Sequence, residues 1–458
     1  MAYTRTRHRS AKDPPPGPRL GFVGGLRTFR RDPLGFLVDT ARRYGDVARF
    51  RIGPFDLYLL SHPDHVRDVL VAGSHSVTKS QVLQEARRIL GDGLLTSEGK
   101  VHRRNRRVLQ PLFQREHVER YGQVMVEHTS LAAERWRNGQ DLDLHDELMA
   151  LTLSIVAKSL FGADVEEADA RGVADSLRTM LGMYDRYLMP FASYLERLPL
   201  PSNRRFWRAK AAVDEVVFGL IRNRRADGGR GHGDVLSLLL GEREADEVPD
   251  GYRPMTDRQI RDEATTLFLA GHETTAIALT WTLYLISQNP DAEARLHDEL
   301  DHILGGRLPT PADLANLAFT RRVLSESLRL YPPAWTMGRR VASDLPVTGC
   351  LVPAGATILL SQYIIHHDPR WYPDPWRFDP DRWEPAVVAT RNKHSFFPFG
   401  AGPRMCIGED FAWMEGMLVL ATLVQRWRFC LLPGQTIDLD PRITLRPKYG
   451  LRMRIERR

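Results

Sequence analysis

Apolar positions recur every three to four residues through most of the chain from 61 to 330, the spacing of amphipathic helices. Residues 48–61 (Ala-Arg-Phe-Arg-Ile-Gly-Pro-Phe-Asp-Leu-Tyr-Leu-Leu-Ser) instead alternate and then turn apolar, which predicts a hairpin turning at Gly53-Pro54. The longest helical pattern runs over 257–288, a length of about 48 Å as a helix. Thr256 with Gln259 forms a capping box at its start, and Asn289-Pro290 stops it. Another helix is predicted over 409–427, with Phe411, Met414, Met417, Leu418, Ala421 and Val424 on one face. Beyond 330 the chain becomes rich in Pro, Gly and aromatic residues, broken by short strand-like runs such as 357–360. The stretch 228–233 (Gly-Gly-Arg-Gly-His-Gly) reads as a surface loop between helices. The expected fold class is mainly α with smaller β regions.

Composition narrows the class. The chain has 458 residues and is 43% hydrophobic, enough for a substantial core. No repeat or composition shift marks a second catalytic domain, so 1–458 reads as a single domain, with 1–20 a flexible basic and Pro-rich segment. That segment has no apolar run, so neither a signal peptide nor a membrane anchor is expected. Three cysteines, Cys350, Cys406 and Cys430, cannot make a disulfide framework, which points to a reducing compartment and a cytoplasmic protein. The net charge of +7 raises nucleic acid as a partner, but no zinc finger, helix-turn-helix or aromatic-interleaved basic stripe supports it. The densest basic run, His102-Arg103-Arg104-Asn105-Arg106-Arg107, reads as a short helix basic almost all round. No flavin or nicotinamide fingerprint appears, so no reductase is expected on this chain.

Chemistry concentrates in Phe399-Gly400-Ala401-Gly402-Pro403-Arg404-Met405-Cys406-Ile407-Gly408. The pattern F-x-x-G-x-R-x-C-x-G arises by chance on the order of once in ten million positions. A metal-ligating thiolate needs backbone N–H donors and nearby positive charge. Gly402 and Gly408 allow tight turns close to a flat ligand, and Arg404 offers a cation for an anionic group at that ligand's edge. Cys406 precedes a helix N-terminus, whose unsatisfied N–H groups favour S⁻. A structural cysteine would explain neither the glycines nor the arginine.

The middle of the long helix reads Ala270-Gly271-His272-Glu273-Thr274-Thr275. A central glycine costs about 1 kcal/mol against alanine, so either a flat group close to the backbone or a kink holding water is expected there. An acid followed by a hydroxyl can relay protons into an apolar cavity. His272 alone reads as a pocket or surface histidine rather than a ligand. Glu326 and Arg329 share a helix face over 321–330, in an apolar setting that ends at Tyr331-Pro332-Pro333. A buried pair of this kind needs a third partner.

Together these motifs resemble the cytochrome P-450 superfamily in family order, over nearly the whole chain. The resemblance implies the cytochrome P-450 fold, with a long central helix over haem b (iron protoporphyrin IX). It makes Cys406 the metal ligand, with Phe399, Gly408 and Ala270 against the cofactor. His102, Arg106, Arg339 and Arg404 become propionate-side contacts. Arg340 is the alternative to Arg339, since adjacent strand residues face opposite ways. His102 stands where many relatives carry tryptophan. Glu273 and Thr274 match the acid–alcohol pair of oxygen activation. Pro375-Trp376-Arg377-Phe378 looks like the family's P-x-R-F segment, which makes Arg377 the third partner of Glu326 and Arg329.

The function implied is a soluble haem-thiolate monooxygenase, a monomer fed by a separate ferredoxin and ferredoxin reductase that dock on the proximal arginines. A non-catalytic haem sensor and a peroxygenase are the rival classes. Apolar pocket segments (Val82, Leu83, Ile89 and Leu90; Leu267, Phe268 and Ala270; Ala334, Trp335 and Met337) favour a lipophilic substrate. Residues 183–206 resemble bacterial sesquiterpene oxidases, which suggests a terpenoid; fatty acids and polyketides are the alternatives.

Overall fold

The computed structural model describes residues 14–164, 167–183, 195, 198–226, 234–241 and 255–458. The loop expected at 228–233 and much of 183–206 lie outside the described residues. Six helices matter for the site: α1 (Gly99–Leu109), α2 (Leu144–Phe161), α3 (Glu167–Leu181), α4 (Asp257–Ser287), α5 (Ala318–Leu330) and α6 (Glu409–Val424). The described strands are β1 (Val47–Ile52), β2 (Phe55–Leu60), β3 (Val77–Lys79), β4 (Gln140–Asp143), β5 (Met337–Val341), β6 (Leu345–Val347), β7 (Cys350–Val352), β8 (Thr357–Leu360), β9 (Trp427–Leu431), β10 (Leu439–Pro441), β11 (Leu445–Pro447) and β12 (Arg452–Arg457). The mainly helical class with smaller sheets is as expected. The residues group into two compact units, one within 1–83, 329–377 and 384–406, the other within 84–328, 378–383 and 407–458.

The first unit is built on a five-stranded sheet in the order β1-β2-β8-β5-β3. Alternation along β1 buries Ala48, Phe50 and Ile52. The opposite face carries Arg49, whose guanidinium donates to Asp56 across the hairpin at 2.8 Å. The turn falls at Gly53, with φ +55, as the sequence predicts. β2 runs parallel to β8, and β8 pairs antiparallel with β5. Tyr58, Leu60, Val66, Leu70, Ile358 and Phe397 belong to the core beside this sheet.

In the second unit α4 is buried along most of its length. Its start is the predicted capping box: the Thr256 hydroxyl accepts from the Gln259 N–H and the Gln259 side chain accepts from the Thr256 N–H. α2 packs directly on it. A Cβ at Gly271 would lie 2.8 Å from Val156 Cγ2, so the central glycine admits a neighbouring helix. The helix runs through this glycine without interruption. Thr152 Oγ1 donates to the His272 carbonyl at 2.9 Å, and Phe161 stacks on Phe268 with centroids 4.4 Å apart. At the far end Trp281 Nε1 donates to the Leu445 carbonyl at 2.9 Å, tying β11 to α4.

α6 ends at Val424, because Trp427 begins β9. Gly416 on α6 lets α5 approach, since a Cβ there would lie 2.7 Å from Leu324 Cδ2. Next to it Glu415 is fully buried with Thr275 of α4 opposite, and burial pushes its carboxyl from the ordinary 4.5 up to about 8. The group is therefore neutral at pH 7. Below about pH 4.5 it is protonated in folded and unfolded chains alike, and its contribution to stability is fully present. As pH rises the unfolded chain ionises first, so stability falls until about pH 8, where the buried group ionises too. Glu415→Gln is expected to flatten this decline, by at most about 5 kcal/mol between pH 5 and 8. Urea midpoints of the two proteins across that range measure the difference, and parallel curves would show that Glu415 does not titrate in this window.

Candidate functional site

The first unit holds the cysteine loop. Its closure is made by main chain: the Cys406 N–H donates to the Phe399 carbonyl at 2.9 Å, and the Met405 N–H to the Gly402 carbonyl at 3.0 Å. Gly402 has φ +70, and a Cβ there would lie 1.9 Å from the Leu70 carbonyl oxygen, so no other residue fits. Gly400 also has positive φ, +77, and its absent Cβ points at Met337, 3.5 Å away. The loop is thus seated between the turn carrying Leu70 and the start of β5. Phe399 and Arg404 are half-buried, and the Cys406 side chain is exposed. Burial pushes the Cys350 thiol up to about 11 and also raises that of Cys430, so neither is a ready thiolate at pH 7. On β5 Arg339 is half-buried and Arg340 exposed, facing opposite ways as the pleat requires.

The second unit holds the acid–alcohol pair. On α4, where nearly every neighbour is buried, Ala270 is exposed and Thr274 is partly so, one turn apart on one face. Thr274 Oγ1 donates to the Ala270 carbonyl at 2.7 Å, leaving its lone pairs as acceptors. Glu273 is 7% exposed and accepts from Thr444 Oγ1 at 2.8 Å. Burial raises its carboxyl, and the Thr444 hydroxyl, Arg446 and Arg178 pull it back. His272 is fully buried, neither a pocket nor a surface residue. Its Nδ1 donates to the Phe268 carbonyl at 2.5 Å, and burial lowers it to about 4, so it is neutral at pH 7. Thr275 is buried on the core side.

α1 corrects another expectation. It is not basic all round: His102, Asn105, Val108 and Leu109 form a buried face. His102 and Arg106, one turn apart, lie at and beside that face, whereas Arg103 and Arg107 are exposed. Asn105 Nδ2 donates to Glu263 of α4 at 2.5 Å, and the Leu94 N–H donates to the other oxygen of the same carboxylate at 2.9 Å. Gly408 is the N-cap of α6, two residues after Cys406.

Glu326 and Arg329 on α5 are both fully buried, but Arg377 is not the third partner expected for them. Glu326 accepts from the Asp379 N–H at 3.0 Å and from Trp383 Nε1 at 2.9 Å, and its cation is Arg382, with Nε 3.3 Å away. Arg377 has an exposed side chain. What it contributes is its carbonyl, which with those of His366 and Pro375 accepts from the Arg329 guanidinium. The sequence held the signal: Pro380-Asp381-Arg382-Trp383 repeats the Pro-x-Arg-aromatic pattern five residues on. Thr444, Asn105 and Glu263 were also missed, because their contacts span more than 150 residues and no local pattern marks them.

Comparison with known proteins now bears on these residues. The sequence profile described as Cytochrome P450 matches residues 13–452. The chain belongs to the cytochrome P450 family. It is 38% identical over 441 residues to "Cyclooctatin synthase" of Streptomyces melanosporofaciens, covering 96% of this chain and 94% of the relative. It is 39% identical over 416 residues to "Cyclooctat-9-en-7-ol 5-monooxygenase" of the same organism, covering 91% and 89%. With "Pentalenene oxygenase" of Streptomyces avermitilis it shares 36% identity over 437 residues, covering 95% of each. This cytochrome P450 is a haem-thiolate monooxygenase that uses haem b. It takes electrons from a redox partner and acts on a lipophilic substrate. Among the described residues no helix is long and apolar enough to cross a membrane.

The residues present fit haem b. The first unit supplies an exposed thiol on a loop whose Gly402 cannot be replaced, with the half-buried Arg339 and Arg404 as cations for carboxylates. The second supplies a small-residue face at Ala270, the buried His102 and the half-buried Arg106.

The Glu326 network gives a discriminating set of variants. Glu326→Ala or Arg382→Ala removes one member of a buried pair and is expected to cost about 3–5 kcal/mol. Arg377→Ala keeps the carbonyl and should stay within about 0.5 kcal/mol of wild type. Holoprotein yield and urea midpoint measure both; equal damage in Arg377→Ala would restore Arg377 as the partner.

Proposed function

We propose that this monooxygenase oxidises a terpenoid, with Cys406 as the residue that would ligate the haem and with Glu273 and Thr274 as the proton relay. The observation that carries the substrate class is the match, over more than nine-tenths of this chain, to terpenoid-oxidising relatives. When bound, the thiolate-ligated haem supplies the chemistry that activates O2 and inserts one oxygen atom into a C–H or C=C bond.

The chain's own residues divide the remaining work. The N–H groups of the closed loop and the α6 N-terminus stabilise the Cys406 thiolate. Arg339, Arg404, His102 and Arg106 are the cations that would hold the carboxylates of the cofactor, and Phe399, Gly408 and Ala270 are the residues that would lie against it. Glu273, held protonatable by burial, passes protons toward Thr274, whose hydroxyl offers an acceptor lone pair. Exposed Arg103 and Arg107 on α1 favour an acidic ferredoxin as the electron donor. A monomer in the cytoplasm accords with three cysteines that make no disulfide. Product from a terpene panel with NAD(P)H and surrogate ferredoxin proteins, but not with peroxide alone, is the expected result. Binding spectra given only by fatty acids or macrolactones would overturn the substrate class.

Cys406→Ser should abolish the red-shifted carbon monoxide band of a thiolate-ligated ferrous haem, while Cys350→Ser and Cys430→Ser retain it. A normal band in the Cys406 variant would remove it as ligand.

Thr274→Ala should still bind haem and substrate and still consume NAD(P)H. Product formed per NAD(P)H should fall by roughly 10–100-fold, at or below the lower end of the range for loss of a positioned proton-transfer group, with hydrogen peroxide in its place. Thr275→Ala, a change on the buried face, should lower stability and leave coupling near wild type. Wild-type coupling in Thr274→Ala would leave Glu273 and water as the relay.

A further inference from the structure

Glu273 is connected to something the acid–alcohol motif does not contain. Its partner Thr444 lies in the turn between β10 and β11, and the two side chains are equally buried at 7% exposure. Outward from Thr444 the turn becomes steadily wetter. Arg446 Nε donates to Asp440 Oδ2 at 3.1 Å, with side chains 24% and 17% exposed. Arg442, 48% exposed, donates to the same carboxylate, and its backbone N–H closes the turn on the carbonyls of Asp440 and Thr444. The turn is fixed to α4 a second time, two helical turns from Glu273, by the bond from Trp281 to Leu445. One edge of this small hairpin therefore touches the relay acid, and its other edge is in water.

We propose that the β10–β11 turn is the route by which Glu273 exchanges protons with solvent, with Thr444 the positioning hydroxyl and the Arg446–Asp440 pair at its outer end. The proposal rests on the reading of Glu273 as the relay acid. The step balances: Thr444 Oγ1 gives its proton to the ionised Glu273 oxygen it already faces, and takes one from water on its solvent side. A threonine hydroxyl can do this because it has one donor and two acceptor sites. Arg446 never gives up its proton and acts by charge alone.

The other groups around Glu273 do not offer a competing route. Arg178 of α3 acts on it by charge and is itself paired with Asp146 at 3.0 Å. His145 of α2 and His272 are both brought to about 4 by burial, so neither is an imidazolium at pH 7, and the Nδ1–H of His272 is committed to the Phe268 carbonyl.

The signs are fixed by the geometry. Thr444 donates to the ionised carboxyl, so Thr444→Val should raise the titration midpoint of Glu273. Asp440→Asn leaves Arg446 without its counter-charge and should lower that midpoint. The test is infrared titration of the resting holoprotein, with the Glu273 band isolated as the difference from Glu273→Gln. It is paired with the solvent deuterium isotope effect on product formation.

In Thr444→Val the midpoint should shift upward and product per NAD(P)H should fall, by less than the loss of about 10²-fold or more expected when the acid itself is removed. The solvent isotope effect should grow, and Thr444→Ser should restore all three. A purely structural bond would also be restored by the serine hydroxyl, but its loss would leave the isotope effect at the wild-type value, so the isotope effect decides between the two. Wild-type coupling and isotope effect in Thr444→Val, with Glu273→Gln uncoupled, would overturn the route while keeping Glu273 as relay. Wild-type coupling in Glu273→Gln would overturn the relay itself.

Discussion

A carboxylate inside a protein costs several kcal/mol unless its oxygens are hydrogen-bonded, and α4 carries three through its unit. Asp262, Glu263 and Glu273 are 7%, 1% and 7% exposed. Each is satisfied by chain remote in sequence: Asp262 by the Asp92 N–H together with Arg261, Glu263 by Asn105 and the Leu94 N–H, Glu273 by Thr444. The helix therefore does more than cross the unit. Its acids fix the segment before α1, α1 itself and the β10–β11 turn, so the elements that bear basic and polar site residues are registered against one rigid rod.

The cysteine loop answers a different constraint, one of space rather than charge. Two glycines with positive φ fold the chain so tightly that the Gly402 Cα faces the Leu70 carbonyl with no room for a side chain. A loop closed by main-chain bonds keeps its one reactive atom in place. The buried Arg329, with three backbone carbonyls around it, plays a comparable part in the same unit by tying the chain near 366 and 375–377 together.

Features written in consecutive residues were legible. The capping box at Thr256, the hairpin at Gly53 and the glycine–arginine–cysteine spacing are local, and each appears where the pattern placed it. What failed depends on neighbours no local pattern names. Gly271 admits Val156, a neighbour that the hexapeptide around it does not name. The basic helix hides His102 and Asn105 on a face that charge counting overlooks. Arg382 lost to Arg377 because two segments carry the same Pro-x-Arg-aromatic pattern and only the folded turn shows which guanidinium reaches Glu326.

The attachment of residues 91–94 to α4 has a consequence for variation among related sequences. The bonds to Asp262 and Glu263 come from the main-chain N–H groups of Asp92 and Leu94, while Gly91 and Gly93 lie so close to α4 that a Cβ on either would strike Asp262 or Thr266. Glycine is thus required at alternate positions, and at the positions between them proline is barred, for want of a donor. The exposed side chains at 92 and 95 can be exchanged without touching these bonds, whereas Ile89, Leu90 and Leu94 are buried and tolerate only apolar residues of similar volume. Volume-conserving apolar changes at 89, 90 and 94 would alter the apolar surface beside α4 while the main-chain attachment stays as it is, which makes this segment a natural site for diversification.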